Sequence, residues 1–396
     1  MGSSKKNNSL YIDNEALSSL ALVAEGLILP VSRLMNEKEA RKVDKTKFYK
    51  GVPFPFSFIL APGGKQNHEV LKKLKAGDRV NLVNMGKKIG EIIVEETFPV
   101  DPKQRLCNIY GTSDPSHPGV KNTTLRLGKI AVSGSYHVDY PLIADNKKRI
   151  TQMISQTGAK FITSMVLSAA PLNRAHERMI REALSTSDLL VIFLQKPFHD
   201  HTLRYDIRYN ALSTFVETFL PRNRVLIIPF ENTYIFAGDN ELILDALLAK
   251  NYGCSQLVIG KNHGGLGLYY NENRLSSIFD QCSNIDIHIK TIDEYVYCNI
   301  CNTLVSTQTC PHGQHHHVHY HSGSIMQLIT QGVIPPTILV RKEVSASILS
   351  ALHPNRFENL QELLYTITPG SGLLEQQSEE QFYRKLIELY QTTSLT

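Results

Sequence analysis

Apolar positions fall into short, turn-punctuated runs over the first third of the chain and into alternating strand-type and helix-type patterns over the middle. From Leu10 to about Asp145 the runs are brief, which predicts a β-rich domain. Asn81 to Gly86 and Ile89 to Val94 are two such runs parted by a Gly-containing turn, the pattern of a hairpin. Gly111 to Val120 is dense in turn formers, with Pro115 and Pro118 setting φ. His117 within it is read as a loop residue serving local packing, with ligand contact its other use. Asp145 to Thr151 is polar and marks a domain boundary. Beyond it, Phe161–Leu167, Leu189–Leu194, Val225–Pro229 and Leu257–Gly260 are apolar runs with helical patterns between them. The order βαβαβαβ predicts an α/β domain with a parallel sheet, which binds ligands at the carboxyl ends of its strands. That edge collects Ala169 to His176, Gln195 to His201, Pro229 to Gly238 and Gly260 to Gly267.

The stretch Phe161 to Leu184 carries the most chemistry. After the strand, Pro171 falls where a first helical turn would begin, its fixed φ suiting that position. From Leu172, the residues Ala175, Met179, Ile180, Ala183 and Leu184 form an apolar stripe at helical spacing. The N-terminus of such a helix attracts anions through its N–H groups and dipole. Asn173 and His176 lie three apart at that end. There the imidazole either holds a phosphate oxygen or simply caps the helix. Gly260-Lys-Asn-His-Gly-Gly-Leu-Gly267 follows a strand, and its glycines let N–H groups approach phosphate while Lys261 adds charge. Arg204 and Arg208, four apart on the next helix, either reach this edge or form a solvated face.

At 396 residues the chain has room for two or three cores, and 42% hydrophobic with 20% charged residues is ordinary for a globular protein. A net charge of +5 without a basic stripe argues against nucleic acid. No apolar run approaches a membrane span and no signal peptide opens the chain, so a cytoplasmic protein is expected. Of six cysteines, Cys107, Cys254 and Cys282 stand apart while Cys298, Cys301 and Cys310 cluster ahead of His312, His315, His316, His317, His319 and His321. Three thiolates and one imidazole close a tetrahedral structural zinc site, and His312 and His315 are the leading fourth ligands. Ser322 to Gly332 reads as a loop entering a short helix and Val344 to Leu352 as another. Glu379 to Tyr390 is amphipathic, with Phe382, Leu386, Ile387 and Tyr390 on one side.

Several of these pieces together resemble the ATP sulfurylases (sulfate adenylyltransferases) of the zinc-containing bacterial type. Arg174-Ala-His-Glu177 is similar to the end of the family's Gln-Thr-Arg-Asn-Pro-x-His-Arg-Ala-His-Glu motif, with Pro171 at its proline. Gly260-Lys-Asn-His-Gly-Gly265 resembles its Gly-Arg-Asp-His-Ala-Gly loop, with Lys250-Asn-Tyr-Gly-Cys254 just upstream. Gly111-Thr-Ser-Asp with His117-Pro-Gly-Val120, Cys310-Pro-His312, and Arg341-Lys-Glu-Val344 after Pro335-Pro336 continue the likeness, which spans about Asp13 to Phe357.

The resemblance implies a β-rich, barrel-like (PUA-like) domain over 1–149, a Rossmann-like nucleotidyltransferase domain over 150–290 and a small zinc-containing domain over 291–396. It implies sulfate attack on the α-phosphorus of ATP, with magnesium accompanying the nucleotide. Asn173 and His176 would be catalytic, and Pro171, Leu172, Gly260, Lys261, Asn262 and His263 would bind nucleotide. The partners would be ATP and an oxyanion, and a homo-oligomer fits the same reading. Where the family has Gln, Thr, Arg and Asn, this chain has Leu167, Ser168, Ala169 and Ala170, and Asn173 replaces the first histidine of its His-x-x-His pair. Lys261 and Asn262 stand for Arg and Asp, Tyr234 to Glu241 lacks two arginines of its counterpart, and Ser322-Gly-Ser324 lacks a following Arg. These losses set a second reading beside the first: a relative that binds nucleotide but is non-catalytic or uses another acceptor.

Overall fold

The computed structural model describes residues 8–198, 203–231, 233, 241–260, 282–318, 322–367 and 376–391. Residues 1–164 with 230–290 form one compact unit and residues 165–229 with 291–396 a second.

In the first unit, the period-two burial of Val80, Leu82 and Asn84 along β5 (Arg79–Asn84) turns one face of a mixed sheet inward, antiparallel except where its first strand runs parallel to β5. The strands run in the order β1-β5-β6-β7-β4, with β1 at Ser9–Tyr11, β4 at Leu60–Pro62, β6 at Lys87–Pro99 and β7 at Leu127–Val138. The expected hairpin is β5 and β6, closing through Met85 and Gly86 with Asn84 opposite Lys87. A two-strand ribbon, β2 (Phe48–Tyr49) and β3 (Val52–Pro53), lies between α2 (Glu37–Thr46) and β4. Helices α1 (Asn14–Ala24), α3 (Lys65–Leu71), α4 (Pro102–Tyr110), α5 (Pro118–Thr124) and α6 (Pro141–Thr157) complete this part. His117 is the N-cap of α5, its Nδ1 accepting the N–H groups of Gly119 and Val120 at 3.1 and 3.4 Å. The imidazole thus serves its own loop, and burial lowers its affinity for a proton.

The second sheet runs β10-β9-β8-β11-β12. Its strands are β8 (Ile162–Leu167), β9 (Leu189–Gln195), β10 (Val225–Phe230), β11 (Gln256–Gly260) and β12 (His288–Ile292). Helices α7 (Arg174–Ser185) and α8 (Tyr205–Phe219) cross between the neighbours β8, β9 and β10, which makes those strands parallel, and α9 (Glu241–Asn251) precedes β11. Leu189 to Leu194 are all buried, as an unbroken apolar run requires when a strand is covered on both faces. The chain steps outward from β8 to β10, then returns to the other side of β8 as β11. The carboxyl end of β8 is therefore where the strand order reverses.

The C-terminal part holds an antiparallel sheet of β13 (Tyr295–Cys298), β14 (Thr303–Ser306) and β15 (His317–Val318), then α10 (Ser322–Thr330), α11 (Lys342–Leu352), α12 (Leu360–Ile367) and α13 (Glu379–Gln391). The segment read as a loop entering a short helix is helical from Ser322. On α13, Phe382 and Ile387 are buried and Lys342 pairs with Glu388, while Tyr390 stays 67% exposed. Among the described residues no helix is long and apolar enough to cross a membrane.

The two arginines of α8 part company. Arg204 is exposed and pairs with Asp206. Arg208 is 1% exposed and donates to the carbonyls of Leu203, Ser168 and Gln195 at 2.7, 2.7 and 2.8 Å. It pins the chain just past β8 to the end of β9. Arg208→Met leaves these acceptors unpaired, at about 1–3 kcal/mol for each one that water does not reach. A loss of at least about 3 kcal/mol in urea unfolding is expected; an unchanged midpoint would show that the guanidinium holds nothing.

Candidate functional site

Between β8 and α7 the chain makes a tight, largely apolar turn. Ala169 and Leu172 are buried, and Ala169 adopts φ +51°, a left-handed conformation uncommon for a residue with a Cβ. The helix does not begin at Pro171, as its fixed φ had suggested, but at Arg174. The reason is a reciprocal cap. Asn173 Oδ1 accepts the His176 N–H at 3.1 Å, and His176 Nδ1 accepts the Asn173 N–H at 3.2 Å. Asn173 is thus the N-cap rather than a residue on the helix face, and Pro171 lies in the turn before it.

That cap dictates the state of the imidazole. Because Nδ1 accepts, the proton of the neutral ring sits on Nε2. Burial pushes the His176 pKa down to about 4, so the ring is neutral at physiological pH. The Arg174 N–H donates to the Leu339 carbonyl at 2.8 Å. The N–H groups of Asn173, Arg174 and His176 are therefore committed within the protein. What this turn offers an anion is the Nε2–H of His176, the Ala175 N–H and the helix dipole, not the full row of open N–H groups expected from a bare helix end.

One residue further on, the Glu177 side chain is 5% exposed and lies between two arginines. Arg341 approaches it with Nε on Oε1 at 3.1 Å and Nη2 on Oε2 at 2.7 Å, and Arg174 Nη1 reaches Oε2 at 3.3 Å. Arg174 also donates through Nε to the Thr337 carbonyl. Sequence reasoning missed this ion pair. Its partners are 164 residues apart, and no local spacing signals it.

Gly260 closes β11, the neighbour of β8 in the sheet order. Lys261, Asn262 and His263, with the remainder of that loop to Gly267, lie outside the described residues, as do Tyr234 to Asn240 and part of the loop after β9.

The cysteine cluster is well formed. Cys298 ends β13, Cys301 lies in the turn to β14, where Asn302 takes φ +51°, and Cys310 and His312 follow β14. His312 Nδ1 is 3.4, 3.3 and 3.5 Å from the sulfurs of Cys298, Cys301 and Cys310, and the last two sulfurs are 4.0 Å apart. Tetrahedral bond lengths to one ion require edges of about 3.5 Å for N···S and about 3.8 Å for S···S. The four atoms fit one metal. Burial raises the Cys298 thiol, but N–H groups of Cys301 and Ile300 and the neighbouring thiols outweigh it and leave it at about 7. His315 is not in the group; it stacks on His316 at 4.0 Å between ring centroids. His319 and His321 lie outside the described residues. Cys254 and Cys282 are buried, and burial pushes both to about 12, so these thiols are inert.

Comparison with known proteins bears on this arrangement. The sequence model of the ATP-sulfurylase family matches residues 143–351, and that of a PUA-like domain matches residues 1–138. The sulfate adenylyltransferase of Halothermothrix orenii is 29% identical over 362 residues, covering 87% of this chain and 91% of that protein. The sulfate adenylyltransferase of Chloroflexus aurantiacus is 28% identical over 355 residues, with the same coverage. Among solved structures, a hexameric APS kinase from Thiobacillus denitrificans matches with a TM-score of 0.65 at 14% identity, over 92% of this chain. The chain spans 64% of that protein's length, and the likeness speaks to fold. With a PUA-like N-terminal domain, an α/β nucleotide-binding domain, and a family model covering more than half of its residues, the chain belongs to the ATP-sulfurylase family.

Proposed function

We propose that this protein is a nucleotidyltransferase of the sulfate adenylyltransferase type. It joins the adenylyl group of ATP to sulfate and releases pyrophosphate. The observation that carries the reading is the place of Asn173 and His176 at the carboxyl end of β8, where the sheet order reverses. A sulfate oxygen attacks the α-phosphorus as its bond to the bridging oxygen of pyrophosphate breaks. No covalent enzyme intermediate is needed, so the protein's contribution is alignment and relief of developing charge. His176, neutral and carrying its proton on Nε2, donates a hydrogen bond to a phosphate oxygen, and Asn173 keeps it in that tautomer. Pro171, Leu172, Gly260, Lys261, Asn262 and His263 are the residues assigned to the nucleotide. Magnesium accompanying ATP neutralises phosphate charge.

Leu167, Ala169 and Ala170 support a second reading. Leu167 and Ala169 are buried and apolar where the family carries polar and cationic residues, which disfavours a bound dianion. On that reading ATP binds without sulfate turnover, or another oxyanion is the acceptor.

The Cys298, Cys301, Cys310 and His312 group is assigned a structural zinc. Four protein ligands leave no position for a substrate. The division at 149/150 and 290/291 follows from the same reading, with the zinc in the third domain.

Pyrophosphate release from ATP, measured with sulfate and with alternative oxyanions, separates the two readings. Sulfate-dependent release is expected, lowered about 10²–10³-fold by His176→Ala; release that ignores sulfate, or a variant with full activity, would end the first reading. The pH profile should show no step near 6.5 from His176. Its folded pKa lies below the unfolded value, so the unfolded chain takes up the proton first. Stability should therefore fall as pH drops from about 6.5 towards 4, and His176→Gln should flatten that loss in a melting series. Elemental analysis should find about one zinc per chain, lost in Cys310→Ser with a lowered melting temperature; metal-free protein of unchanged stability would remove the assignment.

A further inference from the structure

On the flank of α7, away from Asn173 and His176, lies a cavity of about 300 Å³ lined by Arg174, Glu177, Arg178, Arg181 and Arg341, with Thr303 of β14 on its wall. That is the lower end of the size of small-molecule sites. Its charge is unusual for a protein of modest net charge. Four arginines face one carboxylate, a formal excess of three positive charges.

Sequence spacing creates this wall. Arg174, Arg178 and Arg181 fall at i, i+4 and i+7 on one helix face, where like charges repel. Within the cavity lining only the Glu177 carboxylate answers that repulsion. Glu177 is already engaged by Arg341 and Arg174. Among the described residues Arg178 makes no hydrogen bond or ion pair, and Arg181 donates only to the Phe219 carbonyl.

Two of the guanidiniums are also fixed in advance. Arg341 lies 3.8 Å from the Phe219 ring centroid with its side chain 16% exposed, and Arg174 is held by the Thr337 carbonyl and Glu177. Each spends two nitrogens on these contacts. Nη1 of Arg341 and Nη2 of Arg174 make no hydrogen bond among the described residues. Held donors with an unused nitrogen, beside the guanidiniums of Arg178 and Arg181, are suited to several tetrahedral oxyanion groups at once.

We propose that this cavity binds a compact polyanion carrying at least two linked phosphoryl or sulfuryl groups, of which pyrophosphate is the simplest. A single phosphate engages too few of the four guanidiniums to match their charge. The assignment does not depend on the reaction proposed above, since neither Asn173 nor His176 lines the cavity.

Titration calorimetry of the full chain with inorganic pyrophosphate, in magnesium-free buffer of low ionic strength, tests it. A site is expected whose affinity falls about tenfold for each guanidinium removed, in Arg178→Gln and again in Arg178→Gln/Arg181→Gln. It should be unchanged in His176→Ala and in the remote control Arg41→Gln. Inorganic phosphate and sulfate should bind at least about tenfold more weakly than pyrophosphate. Absence of binding to the wild type, equal affinity in the double variant, or equal affinity for phosphate and pyrophosphate would each overturn the proposal. Among the described residues Arg178 makes no hydrogen bond or ion pair, so its single variant is expected to fold and keeps the test decisive should the double variant not.

Discussion

The carboxylate of Glu177 is the fixed point of the second unit. A buried carboxylate is tolerable only when it is paired and its oxygens are satisfied. Here Arg341 supplies two nitrogens and Arg174 a third. The pair joins the first turn of α7 to the residue that caps α11, and the Arg174 contacts to the Thr337 and Leu339 carbonyls tighten the same seam. Phe219 covers the Arg341 guanidinium from α8, so three helices meet on one charge. The turn bearing Asn173 and His176 hangs from this seam. Its geometry depends on a contact made far along the chain.

On the function proposed above, the turn would meet an anion with a neutral donor rather than with a cation. Leu167, Ala169 and Ala170 put apolar surface at the carboxyl end of β8, and His176 is kept neutral by burial. Of the positive charges beside it, Arg174 is engaged by Glu177 and the Thr337 carbonyl, and Arg208 donates to backbone carbonyls that hold the loop. A neutral Nε2–H in a low-dielectric turn still donates a useful hydrogen bond, and it needs no counter-ion when substrate is absent. Such a turn suits a phosphate oxygen whose charge is shared with magnesium better than it suits a bare dianion. This is the physical reason to measure acceptor specificity rather than assume it.

Much of the architecture was legible from periodicity, because strands buried on both faces read as unbroken apolar runs. Phe161–Leu167 was the predicted strand and Ile162–Leu167 is the observed one; Leu189–Leu194 sits within β9. The hairpin of β5 and β6 declared itself through Met85 and Gly86. The start of α7 was displaced by three residues, since Asn173 can share a reciprocal cap with His176 while Pro171 offers only a favourable φ. Spacing identified the three cysteines but could not choose between His312 and His315, because both follow within a few flexible residues. The chain's path after β14 brings His312 to the sulfurs and stacks His315 on His316. The Glu177 to Arg341 pair left no trace in the sequence. Ion pairs across 164 residues depend on packing, and packing is not periodic.

The cysteine group and the arginine face of α7 are mechanically joined. The Tyr295 hydroxyl on β13 donates to Glu182 on α7 at 2.9 Å, and Thr303 on β14 forms part of the cavity wall. Strands of four, four and two residues in a small sheet have little stability of their own and gain from an external constraint on their register. An ion held by Cys298, Cys301, Cys310 and His312 would tie the turn between β13 and β14 to the segment that follows β14, and so supply that constraint. On the proposal of an anion in the arginine-lined cavity, the metal would then contribute to recognition without touching the anion. It would set how closely the wall carrying Thr303 approaches Arg178 and Arg181, and thereby how strongly their mutual repulsion can be answered by a ligand between them.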